Sequence, residues 1–122
     1  MLLAVRAFME LVRYELLLKR GGFQCVYNSV RNTQVSPRAK GVDAIATVCG
    51  AVNLASCYYW KPVFCLQRAV ATARLLKQSG VPATAVIGYR PSPFMSHAWV
   101  EVEGQIVNDL PDYRHMRVLD RI

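Results

Sequence analysis

Apolar residues fill most of the first eighteen positions, and Arg6, Glu10 and Arg13 recur among them three or four residues apart. That spacing puts them on one narrow stripe of a helix over Leu2–Leu18 and leaves the rest of its circumference apolar. Such a helix is buried in its own domain, or set against a partner or a membrane surface. Burial is the simpler expectation. Gly21-Gly22 reads as its end. The stretch from Phe23 to Val35 has no clear period, and Asn28, Asn32 and Thr33 make it loop-prone. Ser36-Pro37 reads as a helix start, with serine as cap and proline in the first turn. A helix rich in Ala, Val and Ile follows to about Ala55. The run Tyr58-Tyr59-Trp60-Lys61-Pro62 then interrupts the period.

A third helix is expected to begin at or near Cys65, to continue through Ser79 and to stop at Gly80. Beyond it the period changes to two. Thr84 to Tyr89 reads as a strand, and Arg90-Pro91-Ser92-Pro93 as a loop. From Met95 to Val102, His97, Trp99 and Glu101 alternate with Ala98, Val100 and Val102, as in a half-buried strand. Glu103-Gly104 turns the chain into a last strand, Gln105 to Asp109. Two hairpins are possible there. A two-residue loop pairs Val102 with Gln105, which sets Asp109 across from Ala98 and away from His97. A three-residue loop with glycine left-handed pairs Glu101 with Gln105 and sets His97 opposite Asp109. The longer loop is expected. Helices first and a small antiparallel sheet after them make the fold class α+β.

With 122 residues, 53% of them hydrophobic and 19% charged, the sequence describes one small domain and not a disordered chain. No apolar run reaches membrane-spanning length, and no signal-peptide pattern opens the sequence, so a cytoplasmic location is expected. Cys25, Cys49, Cys57 and Cys65 form no C-x-x-C pair; their spacings do not suit a zinc loop, and reduced thiols are expected. Cys25, Cys49 and Cys57 read as small buried hydrophobes. The net charge of +7 calls for an acidic partner. The basic residues are scattered and no nucleic-acid motif is present, so an acidic peptide or protein surface is preferred to nucleic acid. No cofactor and no metal are expected.

The chemistry-bearing residues come in a suggestive order: Cys65 at a helix start, His97 on a strand, Asp109 on the next. A helix N-terminus favours a thiolate, and its unpaired backbone N–H groups can receive an oxyanion. A histidine can take the thiol proton, and a carboxylate can hold that imidazole in one tautomer. Cys65 and His97 have plainer readings, as a buried structural cysteine and a satisfied core or surface histidine. His115 lies in a polar segment without strand pattern and reads as solvated. Trp99 shares the face of His97, as a screen against water or as a core residue. Asp112 and Asn108 are the alternatives to Asp109, while Glu101 is placed too far along the strand. Glu10, Glu15 and Asp43 read as surface charges. The Cys65 N–H is the best oxyanion donor, and Trp60 and Gln67 are merely near it in sequence.

Pro62-Val63-Phe64-Cys65-Leu66-Gln67-Arg68-Ala69, then Leu75-Leu76, Gly80-Val81-Pro82-Ala83, Val86-Ile87-Gly88 and His97-Ala98-Trp99-Val100-Glu101-Val102-Glu103-Gly104 together resemble the lasso-peptide leader peptidases. These are transglutaminase-like cysteine proteases. The resemblance covers about residues 36–110 by motif. It implies a papain- or transglutaminase-like core at 36–110 behind a helical extension at 1–35, within a single domain over 1–122. It implies a Cys-His-Asp triad carried by Cys65, His97 and Asp109, and removal of the leader from a ribosomally made precursor. The implied partners are a separate leader-recognition protein and a lasso cyclase, with a membrane surface as an unsupported further possibility. Two other functions use the same features: a transglutaminase-type acyltransferase, with an amine in place of water, and a non-catalytic scaffold of a peptide-maturation complex.

Overall fold

A computed structural model describes residues 2–37, 43–91, 94–107 and 116–122. Three helices, α1 (Leu2–Arg31), α2 (Ala44–Tyr58) and α3 (Cys65–Gln78), precede four strands, β1 (Thr84–Pro91), β2 (Phe94–Val102), β3 (Gln105–Val107) and β4 (Arg117–Arg121). The strands form one antiparallel sheet in the order β3-β2-β1-β4. The α+β architecture is the expected one.

The central element is α3. Its Ala69, Val70, Ala71, Ala73, Leu75 and Leu76 are all buried, because α1 and α2 cover one side and β1 and β2 the other. It ends where Gly80 takes φ +88°. There the N–H groups of Gly80 and Val81 return to the carbonyls of Lys77 (3.1 Å) and Leu76 (2.8 Å), which satisfies the open end of the helix.

Gly21-Gly22 does not end α1. Gly22 leaves the helical path (φ 67°, ψ −160°), and the helix resumes to Arg31. Val26 and Val30, four residues apart and fully buried, supply the apolar stripe that holds this second half down. Ser29, inside this half, donates to the Val26 carbonyl, and Thr33, just past its end, to that of Ser29, each at 2.7 Å. The second helix also differs from expectation. Ser36-Pro37 is not helical, and α2 opens at Ala44 with Asp43 at its cap position. The Ser36 N–H instead donates to Lys77 O at 2.8 Å, so it caps the end of α3.

Two residues of the polar stripe of α1, Arg6 and Glu10, reach side chains of α3, while Arg13 is exposed. Glu10 receives the Arg74 guanidinium (Nε to Oε2, 2.7 Å), Arg6 donates to Gln78 Oε1 at 2.7 Å, and Glu15 pairs with Lys61 at 2.8 Å. Glu10 and Glu15 are therefore paired, largely covered groups, where surface charges were expected. Ala7, Leu11 and Tyr14 reach the core, while Leu2, Val5, Met9 and Leu16 are exposed on the outer side. Among the described residues, no helix is long and apolar enough to cross a membrane.

In the sheet, Ala85, Ala98, Val100 and Val102 belong to the core under the helices. The other parity of β2 pairs with β1 as Val86↔Trp99 and Gly88↔His97. A bulge between Ile87 and Gly88 shifts the β1–β4 register there. The hairpin takes the shorter loop: Val102 pairs with Gln105, Glu101 with Ile106 and Val100 with Val107. Glu103 (φ 53°) and Gly104 (φ 78°) are both left-handed, the signature of a two-residue turn whose twist matches that of its strands. The expected three-residue loop is thus overturned, and with it the geometric reason for setting Asp109 opposite His97. Asp109, Asn108, Asp112 and His115 lie outside the described residues.

Candidate active site

Cys65 is the first residue of α3 and follows Phe64, whose backbone is extended (φ −74°, ψ 158°). The helical bonding starts at Arg68 N–H to Phe64 O (2.9 Å), so the N–H groups of Cys65, Leu66 and Gln67 have no acceptor within the helix. The positive end of the helix dipole lies at the sulfur.

The approach to Cys65 is pinned to α1. Tyr59 stacks on Trp60 with ring centroids 4.2 Å apart, and Phe8 packs against both rings. The Tyr59 hydroxyl donates to the Leu11 carbonyl at 3.3 Å, and Gln67 Nε2 donates to the same oxygen at 2.9 Å. Gln67 is fully buried, and its side-chain amide is directed to α1. One turn along α1, Tyr14 is buried, and its phenol is pushed up to about 12, by burial first and then by electrostatic interaction with nearby Cys65. Tyr14 is therefore a neutral hydroxyl beside the first turn of α3. Its sequence signal, an aromatic three residues after Leu11 on an apolar face, is that of an ordinary core residue.

Half-buried Cys65 lines a small pocket together with Arg68 and Thr72 of its own helix, Ala98, Trp99 and Val100 of β2, and Val107 of β3. The fold thus sets the thiol's helix against the strand that carries His97, one residue from the pocket's lining. His97 is half-buried, and its ring stacks on Trp99 at 6.3 Å between centroids with 21° between planes. Both oxygens of Glu101 are engaged, by Trp99 Nε1 and by an Arg121 guanidinium N–H, each at 2.9 Å. Burial raises the Glu101 carboxyl, but these two donors outweigh it and hold the group below the usual range. Glu101 is committed to Trp99 and Arg121, in keeping with its exclusion as the acid that orients His97.

The other thiols divide. Cys25 and Cys49 are half-buried, and burial pushes the Cys49 thiol up. Cys57 is exposed, which corrects its expected burial.

Comparison with known proteins agrees with the motif resemblance. A microcin J25-processing protein of Escherichia coli, McjB, is 48% identical over 50 residues, which are 41% of this chain and 24% of that protein's length. No solved structure matches. The family described as the transglutaminase-like superfamily matches residues 8–120, nearly the whole length. The chain belongs to the transglutaminase-like superfamily.

Proposed function

We propose that this protein is a cysteine peptidase that removes the leader from a ribosomally made lasso-peptide precursor in the cytoplasm. The observation that carries the proposal is the position of Cys65, at the first turn of α3 and against the strand bearing His97. The likeness to a protein that processes microcin J25 supplies the substrate class. Cys65 attacks the scissile carbonyl as His97 takes its proton, and the backbone N–H of Cys65 receives the developing oxyanion. His97 then protonates the departing amine of the core peptide, and water activated by the same imidazole releases the leader from the thioester. Asp109 is assigned as the acid that orients His97 on family resemblance alone. A leader-recognition protein delivers the precursor, and a lasso cyclase receives the product.

The test is mass spectrometry of a precursor incubated with this protein and its recognition partner, for wild type and for Cys65→Ala. Cleavage at one bond by wild type alone is expected. Equal cleavage by both would remove Cys65 from the mechanism, and an amine adduct in place of the free acid would make the reaction an acyl transfer. Cys57 is exposed, so thiol labelling must be read residue by residue.

A further inference from the structure

His97, Trp99 and Glu101 alternate along one face of β2, and the middle residue is fixed from two sides. At its edge, Trp99 Nε1 donates to Glu101 Oε2 at 2.9 Å, and Arg121 of β4 holds the other oxygen of that carboxylate at 2.9 Å. Below the ring is Gly88, the cross-strand neighbour of His97. A Cβ at Gly88 would lie 2.6 Å from Trp99 Cη2 and 2.8 Å from Cζ3, so the indole lies directly on the strand. Only 4% of Trp99 is exposed. The imidazole lies against this fixed ring, with their planes 21° from parallel.

We propose that Trp99, anchored by Glu101 and Arg121 and seated on Gly88, is a positioning residue that sets the plane of the His97 imidazole. An imidazole with a free χ2 samples orientations in which neither nitrogen addresses the thiol; a near-parallel neighbour on a locked indole narrows that range. Arg121 enters through Glu101, and Glu101 through Trp99, so none of the three exchanges a proton with substrate. This role rests on the reading of His97 as the base.

The experiment uses the full chain with Glu101→Ala, Glu101→Gln, Trp99→Leu and His97→Asn. The ring-proton NMR signals of His97, identified by their loss in His97→Asn, are followed together with kcat and KM for leader cleavage. Glu101→Ala frees the indole edge: the His97 ring signals are expected to move, and kcat to fall about ten-fold with KM within about two-fold. Glu101→Gln keeps an acceptor for the indole N–H and should recover most of both. Trp99→Leu should abolish the ring-current shift; if it does not fold, Glu101→Ala still decides, because it keeps the indole. Unmoved His97 signals in folded Glu101→Ala overturn the proposal whatever the activity. If His97→Asn abolishes cleavage while Glu101→Ala leaves kcat unchanged, the positioning role alone fails. If His97→Asn cleaves normally, the peptidase reading of His97 fails, and the positioning role with it.

Discussion

Gln67 donates its side-chain N–H to the backbone carbonyl of Leu11 at 2.9 Å, from two residues past the proposed nucleophile to an acceptor 56 positions away. The same amide leaves its Oε1 buried and without a partner among the described residues. A made bond contributes about 1 kcal/mol and an orphaned acceptor costs about 1–3 kcal/mol, so the two nearly offset. Gln67→Met should therefore change stability by less than about 1.5 kcal/mol in urea unfolding. Gln67→Glu buries a carboxylate there and should cost more than about 2 kcal/mol. Equal losses for the two variants would sink this account.

Arg74 ties three segments together. It meets Glu10 at 2.7 Å, the Ser29 carbonyl at 2.9 Å and the Thr33 hydroxyl at 2.6 Å, with little of either charged side chain exposed. Arg74→Met leaves Glu10 covered and unpaired and should destabilise by about 3–5 kcal/mol. Adding Glu10→Gln should restore part of that loss, and Arg74→Lys should restore little, since one ammonium cannot span all three acceptors. Urea midpoints of the single and double variants measure the coupling; strict additivity would argue against it.

Acid should weaken the sheet through Glu101. A carboxyl held below its unfolded value contributes stability above the ordinary glutamate range, near pH 4.3, and loses it as the pH falls through the folded value. Glu101→Gln should therefore be less stable than wild type at about pH 6, and the gap should close toward about pH 3. A gap constant across that range would show that the carboxylate charge is not what Trp99 and Arg121 stabilise.

Two backbone positions should respond in opposite directions. Glu103 holds φ 53° at the first position of the hairpin turn, where Asn is better tolerated, so Glu103→Asn should stabilise by up to about 1 kcal/mol. Gly22 combines φ 67° with ψ −160°, a region nearly reserved for glycine. Gly22→Ala should cost about 1–3 kcal/mol although nothing lies within 4 Å of the added methyl. Thermal melts of both variants test whether backbone conformation alone sets these values.

Much of this fold is legible in the sequence, for reasons that differ by element. The limits of α3 follow from Pro62 before it and Gly80 after it, each acting through its own backbone. The face of β2 follows from Ala98, Val100 and Val102, because one side of the strand meets helices. What fails is what depends on partners far along the chain. The second half of α1 looks loop-like until Arg74 and Lys77 of α3 supply donors for its carbonyls. Ser36 looks like a helix cap and is one, but for the end of α3 instead of the start of α2. The hairpin length is not legible locally: the longer loop is the one that sets His97 opposite Asp109, whereas the chain takes a two-residue turn with Glu103 left-handed, which matches strand twist. In the site, Cys65 was legible as a helix start. Tyr14 was not, since only the fold brings it near Cys65.

Gly88 adds no atom to the site that any reagent or substrate could meet. Its contribution is vacancy: the space above its Cα is where the indole of Trp99 lies. A survey that ranks positions by the groups they present would leave it blank. Yet added mass at 88 must lift the indole, and the lift arrives on the neighbouring strand, at the ring stacked on it. Selection on this superfamily member can therefore act through a residue whose only property is its lack of bulk.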